Sequence, residues 1–520
     1  MKNTGTETNM RDGANASIWQ SALVDHTATN HSDYQEVYDA LIIGGGITGL
    51  TTALLLQKQG KKCVLVEAKN LGFGTTGGTT AHLNTFLDTT YPEIDSDFSK
   101  ETSSLIAEGT KKMIEMIRTN IQDLEIDADF EFKMAYLFSQ NEKETKELQS
   151  ILESSQAAGV TVTEASENGV PIPFERVVRF DNQAQFHPLK YIHGLAKEFE
   201  KLGGQIIEQT FIERTELHED IHHAKSDQLI LKAKNIVYAT HIPPGINILS
   251  LRNAPYRSYV LAVKLNSGAY PDCLAYDMQE PYHYFRSHEI DGQKYLIIGG
   301  ADHKTGHEDP LKAFEALEEY AKKYFDISEV SYQWSSQYYV PVDGLPYTGH
   351  LPGGDKGIYV ATGFNGNGMI LGSLSALLIS DLILGKENPY EKLFSPSRLK
   401  PIAGFNEFVK ENADVAYHFV ADRFGAEIIK STHELAKNDG KIVEFDGEKL
   451  ALYKDETGKV TALNPVCTHA GCIVNWNPAE KTWDCPCHGG RFSITGKVLN
   501  GPPQKDLESV SLHEIASGNK

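Results

Sequence analysis

The stretch YDALIIGGGITGLTTALLLQKQGKKCVLVEAKN, from Tyr38 to Asn70, constrains this chain more than any other. An apolar β-type run, Ala40 to Ile43, meets a glycine turn. Leu50, Ala53, Leu54 and Leu56 then recur at helical spacing, and Cys63 to Val66 make a second apolar strand. Two parallel strands joined by a helix need a sheet covered on both faces, so this part of the chain reads as α/β. Gly44, Gly46 and Gly49 stand at the strand-to-helix turn. Small residues there let the backbone approach a pyrophosphate, and the helix N-terminus favours its negative charge. Glu67 ends the next strand, where a carboxylate accepts hydrogen bonds from ribose hydroxyls. Strand, glycines, helix, strand and acid in this order predict a Rossmann-type dinucleotide site.

From about Glu101 to Gly159 the sequence reads as helical, with Leu105, Ile106, Met113, Met116 and Ile117 in one helix and Leu148, Ile151 and Leu152 in another. Between roughly residues 160 and 340, aromatic-rich runs such as YRSYVLAVKL and KYLIIGG suggest an antiparallel sheet forming a substrate lobe. IVYATH and GIYVATGFNGNGM read as returns to the first domain. Phe405, Phe408, Val409, Val415, Ala416 and Phe419 follow a proline-rich polar stretch and read as a docking helix after a linker. From Glu427 onward, short strands separated by DG, DETG and TG turns predict a compact all-β module. The expected division is 1–35 as an N-terminal segment, 36–395 as the dinucleotide and substrate lobes, 396–426 as linker and docking helix, and 427–520 as the β module.

A formal net charge of −21 and the lack of a basic face argue against nucleic acid or anionic lipid as partners. No run approaches the roughly 18 apolar residues of a membrane span, so a cytoplasmic protein is expected. Of six cysteines, Cys467, Cys472, Cys485 and Cys487 lie together, which points to a site rather than a stapled secreted scaffold. Cys63, in the run CVLV, reads as core.

GFGTTGGTTAHL, from Gly72 to Leu83, supplies hydroxyls and close-packed backbone directly after the ribose carboxylate. With this segment the chain resembles the D-amino-acid oxidase, glycine oxidase and sarcosine oxidase superfamily over about residues 36–390. Its other markers are GGQIIEQTFIE, IVYATH, PVDGLPYTG and GIYVATGFNGNGM. The resemblance implies FAD. It puts Ile47 and Thr48 beside the pyrophosphate, Glu67 and Ala68 at the ribose, and Thr75, Thr76, Thr79, Thr80 and Ala81 along the cofactor. Ile212 is expected at the adenine, and Gly366, Gly368, Met369 and Ile370 at the pyrimidine end of the flavin. Two departures matter. Where superfamily members present an arginine to a substrate carboxylate, this chain reads WSSQYYVPVDGLP, with Tyr338 in the arginine's place. There is also only one GxGxxG, so an organic substrate rather than a nicotinamide is the expected electron donor. His82, Tyr256, Tyr282, Tyr284, Arg286 and Tyr338 are candidates to line its pocket; the catalytic residue is open.

The C-terminal module reads CTHAGC and then CPCHGGRF. Cys467 with His469, and Cys485 with His488, supply the two thiolates and two imidazoles of a Rieske [2Fe–2S] centre. A zinc site with the same donors is the alternative, although its usual C-x₂₋₄-C start is missing. The pattern resembles Rieske proteins of the cytochrome bc type. That resemblance implies a disulfide between Cys472 and Cys487 and a covering proline loop in GKVLNGPP. Members of high potential place hydroxyls where this chain has Gly490 and Phe492, so the potential is expected below the top of the range of about −150 to +300 mV.

A flavoprotein of this kind with a C-terminal Rieske module resembles a bacterial family of FAD-dependent oxidoreductases. The expected function is a dehydrogenase that oxidises a small organic substrate, amines among the candidates, and passes electrons through the cluster to an external acceptor, which can be a protein. The alternative is an electron-transfer module that exchanges electrons with a protein partner and has no small-molecule substrate. Too few residues follow the cluster motif to build the mononuclear iron domain of a Rieske oxygenase.

Overall fold

The computed structural model describes residues 11–20, 36–399, 411–415, 418, 427–429 and 431–512. Strand Ala40–Ile43 lies inside a six-stranded sheet, flanked by Ile236–Tyr238 and Cys63–Val66. Both pairings are parallel, and all three strands are fully buried or nearly so. Gln205–Ile207 and Ile358–Thr362 extend the parallel array, and Tyr347–His350 closes one edge antiparallel. Helix Ile47–Lys58 leaves the central strand and packs against Gly368–Ile383. The second helix, GMILGSLSALLISDLI, is apolar nearly all round, a pattern that can only be satisfied in the interior.

The second lobe is a nine-stranded sheet whose long strands Ile327–Pro341, Asn253–Leu265 and Gln293–Lys304 pair antiparallel, as expected from their alternation. Two details differ from the sequence reading. Strand Glu131–Ser139 interrupts the segment read as helical, between helices Lys100–Asp123 and Glu142–Ala157. It also pairs parallel with Leu274–Asp277, so the sheet is mixed. Caps bound the two helices: Ser99 Oγ accepts from the Thr102 amide at 3.2 Å, and Asn141 Oδ1 from that of Glu144 at 3.0 Å. The intervening EFKMAYLFS lacks clean alternation, its burial being dictated by distant strands.

The C-terminal module is all β, with two four-stranded sheets. One holds Glu427–Ile428, Asp439–Phe445, Glu448–Lys454 and Val460–Leu463; the other holds Asn475–Asn477, Thr482–Asp484, Arg491–Phe492 and Val498–Asn500. Residues 411–415 are helical, and Val415 packs on this module's core. Phe405, Phe408, Val409, Ala416 and Phe419 of the expected docking helix lie outside the described residues. No helix among the described residues is long and apolar enough to cross a membrane.

Residues 11–20, which sequence reading left without a role, form a strap, buried except at residues 14–16, between the two larger lobes and the β module. Ser17 Oγ donates to the Gly77 carbonyl and Trp19 Nε1 to that of Thr79, each at 2.6 Å. Arg11 donates to both carboxylate oxygens of Glu480 at 2.7 Å and to the Ser335 carbonyl at 2.8 Å. Asp12 accepts from Arg491 at 2.8 Å and Asn500 at 2.6 Å. Arg491 reaches Asp484 at 3.0 Å, and Arg257 lies 3.7 Å from Glu480. Burial opposes ionisation of Asp12, Glu480 and Asp484, yet the facing guanidiniums hold all three carboxyls below their ordinary values. Three arginines face three acids, so the buried charge is matched.

Candidate functional site

Gly44 has φ +114°, and a Cβ on Gly49 would sit 1.9 Å from the Gly44 carbonyl oxygen, so only glycine allows the helix to start this close to the strand. Gly46 caps the helix, whose first turn has no acidic residue, leaving its positive end open to an anion. Thr76 Oγ1 accepts from the Ile47 amide at 3.1 Å. Glu67 receives the amides of Gly45 at 2.7 Å and Lys69 at 2.9 Å. Burial nevertheless raises its pKa. A carboxyl with two rigid amides on it is fixed in direction, as a ribose acceptor needs to be.

These residues border a cavity of about 830 Å³. Gly44, Gly46, Ile47, Thr48, Glu67, Ala68 and Ile212 wall one end, with Thr75, Thr76, Thr79 and Thr80 along its length and Gly366, Gly368 and Met369 further in. Three residues expected at the cofactor, Gly49 from the glycine motif and Ala81 and Ile370 from the resemblance, do not line the cavity. Gly49 packs beneath the turn; Ile370 is buried in its helix. Ala81 is buried, with its carbonyl accepting from Arg286. The Gly366 amide, assigned by resemblance to the flavin, is donated to Asp88 at 2.6 Å. The groove, the glycine turn and the anchored carboxylate suit FAD, and Glu67 and the Ile47 end of the helix would hold its ribose and pyrophosphate.

The far end is aromatic and acidic. His82, Tyr282, Tyr284 and Tyr338 line it, as the sequence suggested. Two other candidates do not. Tyr256 points to Glu411 at 3.3 Å, and Arg286 spends its guanidinium on the carbonyls of Thr80, Ala81 and Phe186 and on His288. Sequence reading missed Asp302, Asp88, Asn84 and Gln337, which all line the cavity. Asp302 accepts from Ser258 Oγ at 2.5 Å and Tyr338 OH at 2.8 Å. Burial pushes Asp302 up to about 7 and Asp88 up to about 6. An acid closing the apolar strand KYLIIGGADHK was the available signal for Asp302. Asn84 donates to Tyr276 OH at 2.7 Å, and His82 Nδ1 shares a hydrogen bond with the same hydroxyl at 2.5 Å. Burial and Arg286 hold the His82 pKa well below its ordinary value, so the ring is neutral near pH 7.

On the β module, Cys472 and Cys487 form a disulfide, leaving Cys467 and Cys485 as free thiols between the two loops. The Cys485 thiol and the His469 and Ala470 amides hold Cys467 below the ordinary thiol value, so donors converge on its sulfur. The rings of His469 and His488 lie 4.9 Å apart. Nδ1 of His469 and both ring nitrogens of His488 are buried with no hydrogen-bond partner among the described residues. Two thiols and such orphaned nitrogens fit a metal group, held by Cys467, His469, Cys485 and His488. A Cβ on Gly490 would meet Pro503 at 2.7 Å, which explains why this position carries no hydroxyl.

The two sites adjoin. Gln337 and Tyr339 line the cavity from one strand; Gln337 Nε2 donates to the Gly489 carbonyl at 2.9 Å and Tyr339 OH to that of His488 at 3.3 Å. Leu499, Gly501 and Pro503 of the proline loop form part of the same wall. From the other side, His469 Nε2 lies 3.3 Å from the Gly245 carbonyl.

Comparison with known proteins agrees with this arrangement. A family model described as FAD dependent oxidoreductase matches residues 39–382, and one described as Rieske [2Fe-2S] domain matches residues 426–511. YhfW of Bacillus subtilis (strain 168), whose name carries the Rieske 2Fe-2S iron–sulfur designation, is 34% identical over 483 residues, 91% of this chain and 93% of that one. The cytochrome b6-f complex iron–sulfur subunit of Chlorobaculum thiosulfatiphilum is 39% identical over 75 residues, 14% of this chain and 41% of its own. Glycine oxidase from Geobacillus kaustophilus superposes with a TM-score of 0.59 at 19% identity, covering 70% of this chain and 100% of that chain. L-proline dehydrogenase from P. horikoshii gives 0.57 at 18%, covering 70% and 98%. Identities this low show a shared fold alone. The Rieske match decides between zinc and cluster for the Cys/His loops. On these matches, the chain belongs to the FAD dependent oxidoreductase family and is an FAD enzyme with a C-terminal Rieske [2Fe–2S] domain.

Proposed function

We propose that this chain is a dehydrogenase that oxidises a small organic substrate, an amine, at the aromatic end of its cavity and delivers the electrons through the Rieske cluster to an external acceptor, a protein among the candidates. The observation that carries this reading is the pair Gln337 and Tyr339, which both line the cavity and whose side chains bond the backbone of the His488 loop. FAD supplies two-electron chemistry toward a substrate and one-electron release toward a carrier, and a [2Fe–2S] cluster carries one electron at a time.

The chain's own residues have definable tasks. The glycine turn and Glu67 orient the cofactor, and neutral His82 forms part of the substrate-end wall. The tyrosine walls exclude water. The carbonyls that Gln337 and Tyr339 hold are those of Gly489 and of His488 itself, which keeps the ligand loop against the cavity. An amine fits the names of the glycine oxidase and L-proline dehydrogenase neighbours, both acting on substrates with an oxidisable C–N bond. We read the enzyme as cytoplasmic, and its units as residues 36–395 and 427–520 joined by 396–426.

Steady-state assays of the purified chain against a panel of small amines, with ferricyanide as the one-electron acceptor, test this. Turnover with no second protein is expected. Turnover that appears only when a reduced protein partner is supplied would identify an electron-transfer module instead.

A further inference from the structure

The aromatic end of the cavity carries a charge pattern that the function above does not require. Asp302 and Asp88 both line it and are close enough to interact electrostatically. Among the described residues of the wall, the only lysine or arginine is Lys69, which stands beside Glu67 at the opposite end. The nearest arginine that could have served, Arg286, is committed to three carbonyls and His288. Where a carboxylate-binding arginine was expected in related flavoproteins, Tyr338 instead donates its hydroxyl to Asp302. A substrate carboxylate entering here would meet two acids and no cation.

The remaining polar atoms favour a positive donor. Asn84 also lines the cavity, as a neutral amide bonded to Tyr276. Tyr282, Tyr284 and Tyr338 surround the acids, with the rings of Tyr282 and Tyr284 5.6 Å apart. Aromatic faces beside carboxylates attract an ammonium through the ring quadrupole as well as through charge, and more strongly when water is excluded. We propose that the site selects an organic ammonium cation lacking a carboxylate, held with its charged nitrogen against Asp302 inside the tyrosine walls. This rests on reading the aromatic end as the substrate end of the flavin cavity.

The groups facing Asp302 are Ser258 and Tyr338 by hydrogen bond, with Tyr282, Tyr284, Asp88 and His283 nearby. His283 is itself paired with Asp277 at 2.8 Å. Burial raises Asp302 to about 7, so the carboxyl is protonated below that pH and charged above it. Asp88, at about 6, ionises first. Cation affinity should therefore rise with pH.

The test uses the FAD-loaded full chain and two probes, benzyltrimethylammonium and phenylacetate, with binding followed by perturbation of the flavin absorbance. The cation is expected to bind, about tenfold more tightly at about pH 8 than at about pH 6, as one carboxyl ionises. Phenylacetate should bind at least about tenfold more weakly at the upper pH. Asp302→Asn should cost the cation about tenfold or more at the upper pH and flatten its pH profile. Tyr338→Phe removes a hydrogen bond that favours the charged carboxyl, so its profile should move to higher pH. This second variant reports even if Asp302→Asn loses flavin. The inference is overturned if phenylacetate binds as tightly as the cation, if Asp302→Asn keeps wild-type affinity and profile, or if Tyr338→Phe leaves the midpoint in place. The electron-transfer reading fails separately: cation binding of this kind with a cluster that is never reduced would preserve this inference and remove that one.

Discussion

Cys485→Ser is expected to strip the chain of its cluster while leaving the flavin bound. Cys485 is one of two free thiols between the ligand loops, since Cys472 and Cys487 are tied to each other, so no spare sulfur can replace it. Iron should fall from about two per chain to near zero. FAD content should hold, because the glycine turn and Glu67 belong to a different sheet. Substrate should still bleach the flavin without oxygen, yet turnover with a large one-electron acceptor should drop by about 100-fold or more. Metal analysis and steady-state rates on the same preparation check this. Full iron in the variant would remove Cys485 from the ligand set, and unchanged turnover would remove the cluster from the electron path.

Glu480→Ala should have the largest effect on how the two halves are held together. Glu480 accepts two bonds from Arg11 and also the Ser335 amide at 2.8 Å, all in a buried setting. Removing it leaves Arg11 with Asp12 as its remaining carboxylate and Arg257 without its own, a loss of about 3–5 kcal/mol for a broken buried pair. Denaturant unfolding of the loaded chain should show that loss, and limited proteolysis should release the β module earlier. A change within about 0.5 kcal/mol would mean the network contributes little. The pH dependence follows from the same residues. Asp12, Glu480 and Asp484 have folded pKa values held low, so their contribution is full above the unfolded carboxylate values of about 4 and lost as pH falls through the folded values. The β module should therefore undock in acid and stay docked through neutral pH.

Much of the nucleotide and cluster chemistry was legible in the sequence because each set of residues is nearly contiguous. Gly44, Gly46 and Gly49 act across one turn, and Cys467 with His469 and Cys485 with His488 occupy two short loops. What was not legible depends on chain segments meeting from far apart. Asp302 lies near the end of the strand Gln293–Lys304, but its role comes from Ser258 on the adjacent strand and Tyr338 on the strand beyond that. Strand Glu131–Ser139 was hidden because its partners, Arg176–Gln185 and Leu274–Asp277, decide which of its side chains are buried. Arg286 was a reasonable candidate by position, and only the surrounding carbonyls show that it supports the backbone. The strap of residues 11–20 gave no periodic signal, since its apolar contribution to the core is only Ile18 and Trp19, and the rest is held by single polar side chains such as Arg11, Asp12 and Ser17. Local pattern encodes turns and ligand pairs; it does not encode which distant strand supplies the opposing charge.

Rapid-freeze EPR during anaerobic reduction tests the central claim most directly. The oxidised, fully loaded chain is mixed with a small amine substrate identified by turnover, with no acceptor present, and frozen at intervals spanning a single turnover. The account predicts that the signal of a reduced [2Fe–2S] cluster grows in step with bleaching of the flavin and within the turnover time. Complete flavin reduction beside a cluster that stays oxidised, in a preparation whose cluster is readily reduced by dithionite, would contradict it.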